Sequence, residues 1–377
     1  MSPRRVKAVV RKEFYHLIRD FRSLYLAFIM PLILILLFGY ALSLDVDNVE
    51  TVVVDQDHTD ASRDLIRALD ASAYFHVRTA VTDPRRVAEE LDHGRAMLAV
   101  IIPPGWTSTL RSNRAAPLQI LLDGSDPNFS NITRGYITSF TAAYDRKLLL
   151  EFLNLSGAAP IEPPLDARIR VWFNEDLESR NFIIPGIIAV IIMIAAAMLT
   201  SLVIAREYEN GTMETLKSLP LTAAELLSGK AIPYFFIALT DVLIAVLMGQ
   251  LLFGIVMKAG FWLMILASSV YILVALTLGL LISTAAKSQL VANQGAILIT
   301  FLPSMLLSNF VFPVSNMPKV LQAFTYVVPA RYYIEILSGI YLKNLTFTQL
   351  WQDFLVLFIM GVLLAALNLK LLREEGL

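Results

Sequence analysis

Arg206-Glu-Tyr-Glu-Asn-Gly-Thr-Met-Glu-Thr-Leu-Lys-Ser-Leu-Pro-Leu-Thr-Ala-Ala-Glu-Leu-Leu-Ser-Gly-Lys230 decides how the rest of the chain is read. It is a long polar insertion between two apolar runs, Asn181 to Ala205 and Ala231 to Met257. Gly211 suits the end of the preceding helix, because a residue without Cβ enters the left-handed conformation cheaply. Thr212 is placed to cap a short new helix, with Glu214 in its first turn facing the positive end of the dipole. Pro220 stops that helix, and Thr222 with Glu225 has the capping-box spacing that starts the next one. A short acidic helix held between two spans cannot bury itself in lipid and has no core of its own. On local pattern alone it reads equally as a solvated connector or as a functional element.

Working outward, composition sets the class. Apolar residues make up 56% of the chain and charged residues only 17%, against roughly a quarter charged in a soluble domain. Mean hydropathy is +0.62. The formal net charge of -1 argues against a bulk electrostatic partner such as nucleic acid. There are no cysteines, which excludes thiolate metal sites, catalytic thiols and disulfides.

The first segment is crowded with Arg4, Arg5, Lys7, Arg11, Lys12, Arg19 and Arg22. Val6, Val10, Phe14, Leu17, Ile18 and Phe21 fall on one face at helical spacing. The pattern over residues 1–23 predicts a helix lying in the membrane interface, basic side toward lipid headgroups. Glu13 and Asp20 weigh against a transit peptide, and the following run lacks a small-residue cleavage site.

Leu24 to Leu44 is free of charge and long enough to span a bilayer, with Pro31 tolerable inside it. Further apolar runs are Asn181 to Ala205, Ala231 to Met257 (interrupted only by Asp241), Ala259 to Ala286, Ser288 to Met317 and Phe354 to Leu369. The expectation is an α-helical polytopic membrane protein with six transmembrane helices. Lysine and arginine near the span ends gather on one side (the N-terminal cluster, Arg206, Lys217, Lys230, Lys287, Lys370 and Arg373), against Lys258, Lys319, Arg331 and Lys343 on the other. That bias places both termini in the cytoplasm.

The same topology puts residues 45–180 outside, where they read as a small α/β domain between the first and second spans. Expected strands are Thr51 to Val54, Phe75 to Val77, Met97 to Ile102 and Leu118 to Leu122. Expected helices run from Asp60 to Leu69, Pro84 to Asp92 and about Ser130 to Leu155, and the proline-rich Gly157 to Asp166 is a linker. Asp55, Asp57 and Asp60 share a loop better explained by helix capping than by a cation, and Asp123 with Asp126 reads as turn chemistry. No metal spacing of histidines, Gly-x-Ser-x-Gly elbow or Gly-x-x-x-x-Gly-Lys-Ser/Thr loop occurs. Hydrolysis of ATP by that phosphate loop is therefore excluded, and no catalytic or metal residue is assigned.

From end to end the chain resembles the membrane subunit of an ATP-binding-cassette exporter of the type-2 permease family. The resemblance is closest to the bacterial drug-efflux-like branch with a large domain between the first two spans. It rests on Ala205-Arg206-Glu207-Tyr208-Glu209-Asn210-Gly211-Thr212-Met213-Glu214, with Leu216, Pro220 and Lys230-Ala231-Ile232-Pro233-Tyr234. Supporting matches are Asp123-Gly124-Ser125, Trp172-Phe173-Asn174, Phe182-Ile183-Ile184-Pro185-Gly186 and Val328-Pro329-Ala330-Arg331-Tyr332. Where that branch often has Asn-Pro after the aromatic pair, this chain has Asn174-Glu175, a departure confined to one turn.

The resemblance implies that loop 206–230 docks on a separate ATPase subunit, with Arg206, Glu207, Glu209, Gly211, Thr212, Glu214, Leu216 and Pro220 as the coupling residues. ATP and its magnesium would then sit on that partner, and this chain would bind no cofactor. It further implies an ATPase dimer, a second permease copy or a sister permease, contact with membrane lipid, and a bacterial inner-membrane location; a periplasmic adaptor stays open. Residues 313–347 are expected to fold back as re-entrant helices. There Pro329, Arg331 and Glu335 form a structural lock, with Arg331 and Glu335 paired at i,i+4. Glu207, Glu209 and Glu214 have no partner nearby in sequence, so a basic groove on another protein is expected to satisfy them.

Asp241 is a carboxyl inside a span, which reads as a structural hydrogen bond or, as the less favoured alternative, as a substrate or proton contact. Asn293 and Gln294 line the fifth run and are placed to bond across helices. No lysine or arginine lies deep in a span, which favours amphipathic or apolar cargo. Two other readings stay open: an ion-coupled secondary transporter, which usually shows repeated halves, and a receptor or sensor whose outer domain binds a ligand.

Overall fold

A computed structural model describes residues 2–20, 25–41, 48–81, 85–112, 114–125, 127–155, 173 and 179–376. Phe21, Arg22, Pro84, Asp126, the ends of the first expected span, the linker from Gly157 to Asp166, and Trp172 and Asn174 lie outside the described residues. The chain divides into two compact units, Met1–Leu44 with Val171–Leu377, and Asp45–Arg170.

The chain opens with α1 (Pro3–Arg19), a π turn at Tyr25–Ile29, and α2 (Met30–Ala41). The second unit carries β1 (Val49–Asp55), α3 (Asp60–Asp70), β2 (Phe75–Val81), α4 (Arg85–Asp92) and β3 (Leu98–Ile102). It continues with α5 (Trp106–Arg111), β4 (Gln119–Leu122) and α6 (Pro127–Leu155). The first unit then resumes with α7 (Arg180–Glu209), α8 (Thr212–Ser218), α9 (Ala223–Phe253) and α10 (Phe261–Ala286). Last come α11 (Gln289–Leu306), α12 (Lys319–Thr325), α13 (Pro329–Ser338) and α14 (Phe347–Glu374).

The second unit is built on a four-stranded sheet in the order β2-β1-β3-β4. β1 runs parallel to β2 and β3, and β4 closes the edge antiparallel to β3. Alternation along the strands divides the apolar residues between two faces. Val49, Val53, Leu98 and Val100 meet Leu65 of α3, Trp106 of α5 and Ile137 of α6, while Val52, Val54 and Ala99 meet Val87 of α4. Helix α5 is unannounced by its sequence; Gly105 starts it from φ 74°. The aspartate loop is structural. Asp55 accepts from the backbone N–H of Asp57 and of His58 at 3.0 Å and from Ser62 Oγ at 2.7 Å. Asp57 accepts from the Thr107 hydroxyl, from Thr107 N at 3.0 Å and from Thr59 Oγ1 at 2.9 Å, joining the starts of α3 and α5. The Thr107 hydroxyl leads the contacts that hold the Asp57 carboxyl below its ordinary value.

In the first unit, five helices among the described residues are long and apolar enough to cross a membrane, namely α7, α9, α10, α11 and α14; α2 is a shorter apolar helix. Helix α7 is the core of this unit: 94% of its most apolar window is buried, against 17% for α14. A helix apolar all round is stable when other helices surround it, and one buried on a single side presents the rest to lipid. Close approach of α10 to α7 depends on Gly279, where a Cβ would stand 2.4 Å from the Ala197 carbonyl oxygen. Beside it Thr200 Oγ1 donates to the Leu276 carbonyl at 3.2 Å, and Ser283 Oγ accepts from the backbone N–H of Ala205 at 2.8 Å. Fully buried Tyr271 and Tyr333 stack with centroids 4.0 Å apart, and Tyr271 donates to the Ala189 carbonyl at 2.9 Å. These bonds fix α13 and α10 on α7.

Candidate functional site

The polar insertion begins on the last turns of α7, which carries Arg206, Glu207 and Glu209 as helical residues. Asn210 closes α7, and Gly211 at φ 69° reverses the chain into α8. Thr212 does not cap α8 as its spacing predicts. Gly211 takes the cap position, and the Thr212 hydroxyl turns back to the Glu207 carboxylate. Met213 and Leu216 are buried, whereas Glu214, Thr215, Ser218 and Pro220 are exposed. A short helix is thus anchored by two apolar residues and holds its acidic side outward. Thr222 and Glu225 form the capping box that starts α9.

The expected unpartnered acidic set is not what the fold contains. Glu207 is 7% exposed, and its Oε1 accepts from Lys230 Nζ at 2.8 Å and Lys12 Nζ at 2.7 Å. Lys230, 1% exposed, also donates to Glu13 Oε1 at 2.8 Å. Glu209 accepts from the backbone N–H of Gln289 at 2.7 Å and from its side chain at 2.5 Å. Glu214 and Glu209 are both exposed, and of the three only Glu214 has neither an ion pair nor a side-chain hydrogen bond among the described residues. The physical reason is distance along the chain: Lys230 and Lys12 are 23 and 195 residues from Glu207. Burial of charge is tolerable only with partners of this kind. Here α1, α7 and α9 each contribute to one cluster.

Further polar contacts tie the same elements together. Arg206 donates to Asp20 Oδ2 at 3.2 Å and lies 3.0 Å from His16 Nδ1. Glu225 accepts from the Ser2 backbone N–H at 2.5 Å and pairs with Arg5 at 3.7 Å. Glu375, past the end of α14, pairs with Lys287 at 2.5 Å and Lys217 of α8 at 3.9 Å. The Lys287 contact keeps the Glu375 carboxyl below its usual value.

Of the apolar face that its spacing selects, helix α1 fully buries only Leu17 among the described residues. Val9, Glu13 and Leu17 are buried, while Phe14 and Ile18 are 52% and 55% exposed. Gly229 explains the register, since a Cβ there would stand 2.6 Å from Val9 Cβ. Lys12 and Arg5 accordingly turn toward protein carboxylates. Glu13, Lys12 and Lys230 are the residues that spacing alone misses. The one available signal is an acid at the middle of the i, i+4, i+8 series Val9-Glu13-Leu17.

Asp241 on α9 is 7% exposed, and its Oδ2 has no hydrogen-bond partner among the described residues. Asn293 Oδ1 is likewise buried without a partner among them, and Gln294 is exposed. Neither shares the cavity that Asp241 lines. A second cavity of about 210 Å³ lies between α2, α7 and α11, lined only by apolar side chains including Met30, Phe38, Ile191, Met198 and Phe301. In the 313–347 region Pro329 opens α13. The expected Arg331–Glu335 pair is absent from the described ion pairs. Arg331 instead donates to Thr325 Oγ1 and lies 4.3 Å over the Tyr326 ring, and Glu335 is exposed. The tight α12–α13 corner brings Thr325 and Tyr326 closer to the guanidinium than the next helical turn.

Comparison with known proteins agrees with this architecture. The family described as ABC-2 family transporter protein matches residues 21–370. The chain is 34% identical over 346 residues to the probable multidrug ABC transporter permease YbhS of Escherichia coli K12, covering 91% of this chain and 90% of that one. It is 31% identical over 350 residues to the probable multidrug ABC transporter permease YbhR of the same strain, covering 93% of each. The inner membrane transport permease YhhJ of Escherichia coli K12 is 26% identical over 274 residues, 72% of this chain and 71% of that one. With apolar helices around a buried central one, and a match running through nearly all of them, the chain belongs to the ABC-2 family of transporter proteins.

Proposed function

We propose that this chain is the permease subunit of an ATP-driven exporter, moving amphipathic or apolar cargo out of the cytoplasm by alternating access. ATP is hydrolysed by a separate ATPase subunit, which also holds the magnesium, and a second permease copy or sister permease completes the pathway. In this reading α2 is the first of six spans, the termini are cytoplasmic, and residues 45–180 lie outside a bacterial inner membrane. The lysine and arginine bias supports that orientation.

The observation that carries the coupling role is α8 itself. Its apolar side is buried, its acidic side is free, and its base is braced by the Glu207–Lys230 pair. Closure of the ATPase dimer would push α8 and, through that brace, the ends of α7 and α9. The apolar cavity supports apolar cargo, and its methionines suit varied shapes. α1, with Phe14 and Ile18 outward, is read as lying along lipid headgroups. Asp241, Asn293 and Gln294 are assigned to the pathway, and Pro329 and Arg331 to the re-entrant corner.

The test is reconstitution of the full chain with its ATPase subunit in vesicles. Uptake of an apolar dye into inverted vesicles should require ATP, and Glu214→Lys should weaken capture of the ATPase about tenfold while leaving folding intact. Uptake driven by an ion gradient without ATP would instead establish the secondary transporter.

A further inference from the structure

Asp241 lines a small niche between α2, α7 and α9. It is lined by Pro31 and Ile35 of α2, Ile191 and Ala195 of α7, and Ala238 and Ala245 of α9, with other apolar residues. Asp241 supplies its one polar side chain, with Oδ2 unpartnered among the described residues. The free volume is about 10 Å³, room for a single water-sized group. An isolated carboxylate in such surroundings is costly to keep unless it takes up a proton or gains a cationic partner. The nearest buried cation on the same helix, Lys230, is already committed to Glu13 and Glu207.

The niche adjoins the larger apolar cavity. Ile191 lines both, and on α2 the consecutive pairs Met30–Pro31 and Leu34–Ile35 each give one residue to the large cavity and one to the niche. The two spaces therefore flank the same α2–α7 contact. One is shaped for an apolar body and the other for a head no larger than water.

We propose that Asp241 determines specificity for cargo with a primary ammonium head on an apolar chain, the head entering the niche and the chain lying in the larger cavity. This rests on the exporter reading above. A primary ammonium matches the niche in size and offers three charged N–H donors, whose bonds to a carboxylate are roughly twice as strong as neutral ones. A hydroxyl head of equal size lacks the charge. A trimethylammonium head carries the charge but has neither the donors nor the size.

The full chain, assembled with its ATPase subunit in lipid nanodiscs, is titrated with dodecylamine, dodecanol and dodecyltrimethylammonium, reading the concentration that half-maximally stimulates ATP hydrolysis. Dodecylamine should act at about tenfold lower concentration than either analogue. Asp241→Asn should bring the amine to the level of the alcohol, and Asp241→Glu should keep part of the preference. Equal potency of amine and quaternary probe on the wild-type complex overturns the proposal, as does a preference undiminished in Asp241→Asn. The wild-type series needs no variant, so it decides even where Asp241→Asn assembles poorly. A wild-type complex that answers to none of the three overturns the exporter reading and this inference together.

Discussion

Lys230 Nζ stands 2.8 Å from Glu207 Oε1 and 2.8 Å from Glu13 Oε1, joining the start of α9 to the end of α7 and to the middle of α1. At 1% exposure the lysine has no recourse to water. Removing it leaves buried acids without their main cation. Lys230→Ala should therefore lower stability by about 3–5 kcal/mol. Pairing Glu207→Gln with Lys230→Met, which removes charge from both sides, should recover much of that loss. Thermal unfolding in mild detergent measures both, and a Lys230→Ala protein that melts with the wild type would refute the account.

The contact of α10 with α7 is a matter of backbone, not of side-chain fit. A Cβ on Gly279 would meet the Ala197 carbonyl oxygen at 2.4 Å, whereas one on Gly295 meets Ile282 at 3.5 Å, an ordinary contact. Gly279→Ala should cost about 1–3 kcal/mol through helix separation, and Gly295→Ala should be nearly silent. Yield of folded protein and melting temperature compare the two. Equal tolerance would show that α7 and α10 can part freely.

Asp57 gives the sheet unit a predictable response to acid. Its carboxyl is held below the ordinary 3.8 in the folded state, chiefly by the Thr107 hydroxyl. A depressed carboxyl contributes stability that is fully present above the unfolded value and is lost as pH falls through the folded one. The link between α3 and α5 should hold at neutral pH and loosen below the ordinary carboxylate range. Hydrogen exchange over residues 55–62 and 105–109 of the full chain should rise there, and Asp57→Asn should flatten the pH dependence. A profile unchanged by the substitution would tell against it.

Arg331 predicts an asymmetry at the α12–α13 corner. Its donor bond reaches Thr325 and its guanidinium covers Tyr326, with Glu335 uninvolved. Arg331→Lys should lose the stacking and much of the corner's order, because an ammonium is a point charge without a planar face. Glu335→Gln should stay within about 0.5 kcal/mol of wild type. Protease sensitivity of residues 313–328 in membranes separates the two, and equal effects would restore the i,i+4 pair.

Much of the framework follows from local pattern. Five of the six apolar runs became long apolar helices and the first a shorter one among the described residues, Gly211 became the left-handed reversal, and Thr222 with Glu225 became a capping box. β1 and β3 were legible as short apolar runs between turn residues. Helix α5 was not, because six residues after a proline pair carry too little periodicity to register. The partners of Glu207 were not legible either, because Lys230 and Lys12 lie 23 and 195 residues away along the chain.

The sequence by itself determined which segments are apolar helices, where they stop, and that a short acidic helix is held out between two of them. These follow from local propensities and side-chain periodicity, which need no knowledge of neighbours. Tertiary structure alone decided that Glu207 faces Lys230, that α1 packs through Val9 instead of Phe14, and that Asp241 closes a niche without a partner. Periodicity reports that a residue is buried, whereas the identity of what it meets depends on helix docking across as many as 217 residues of chain.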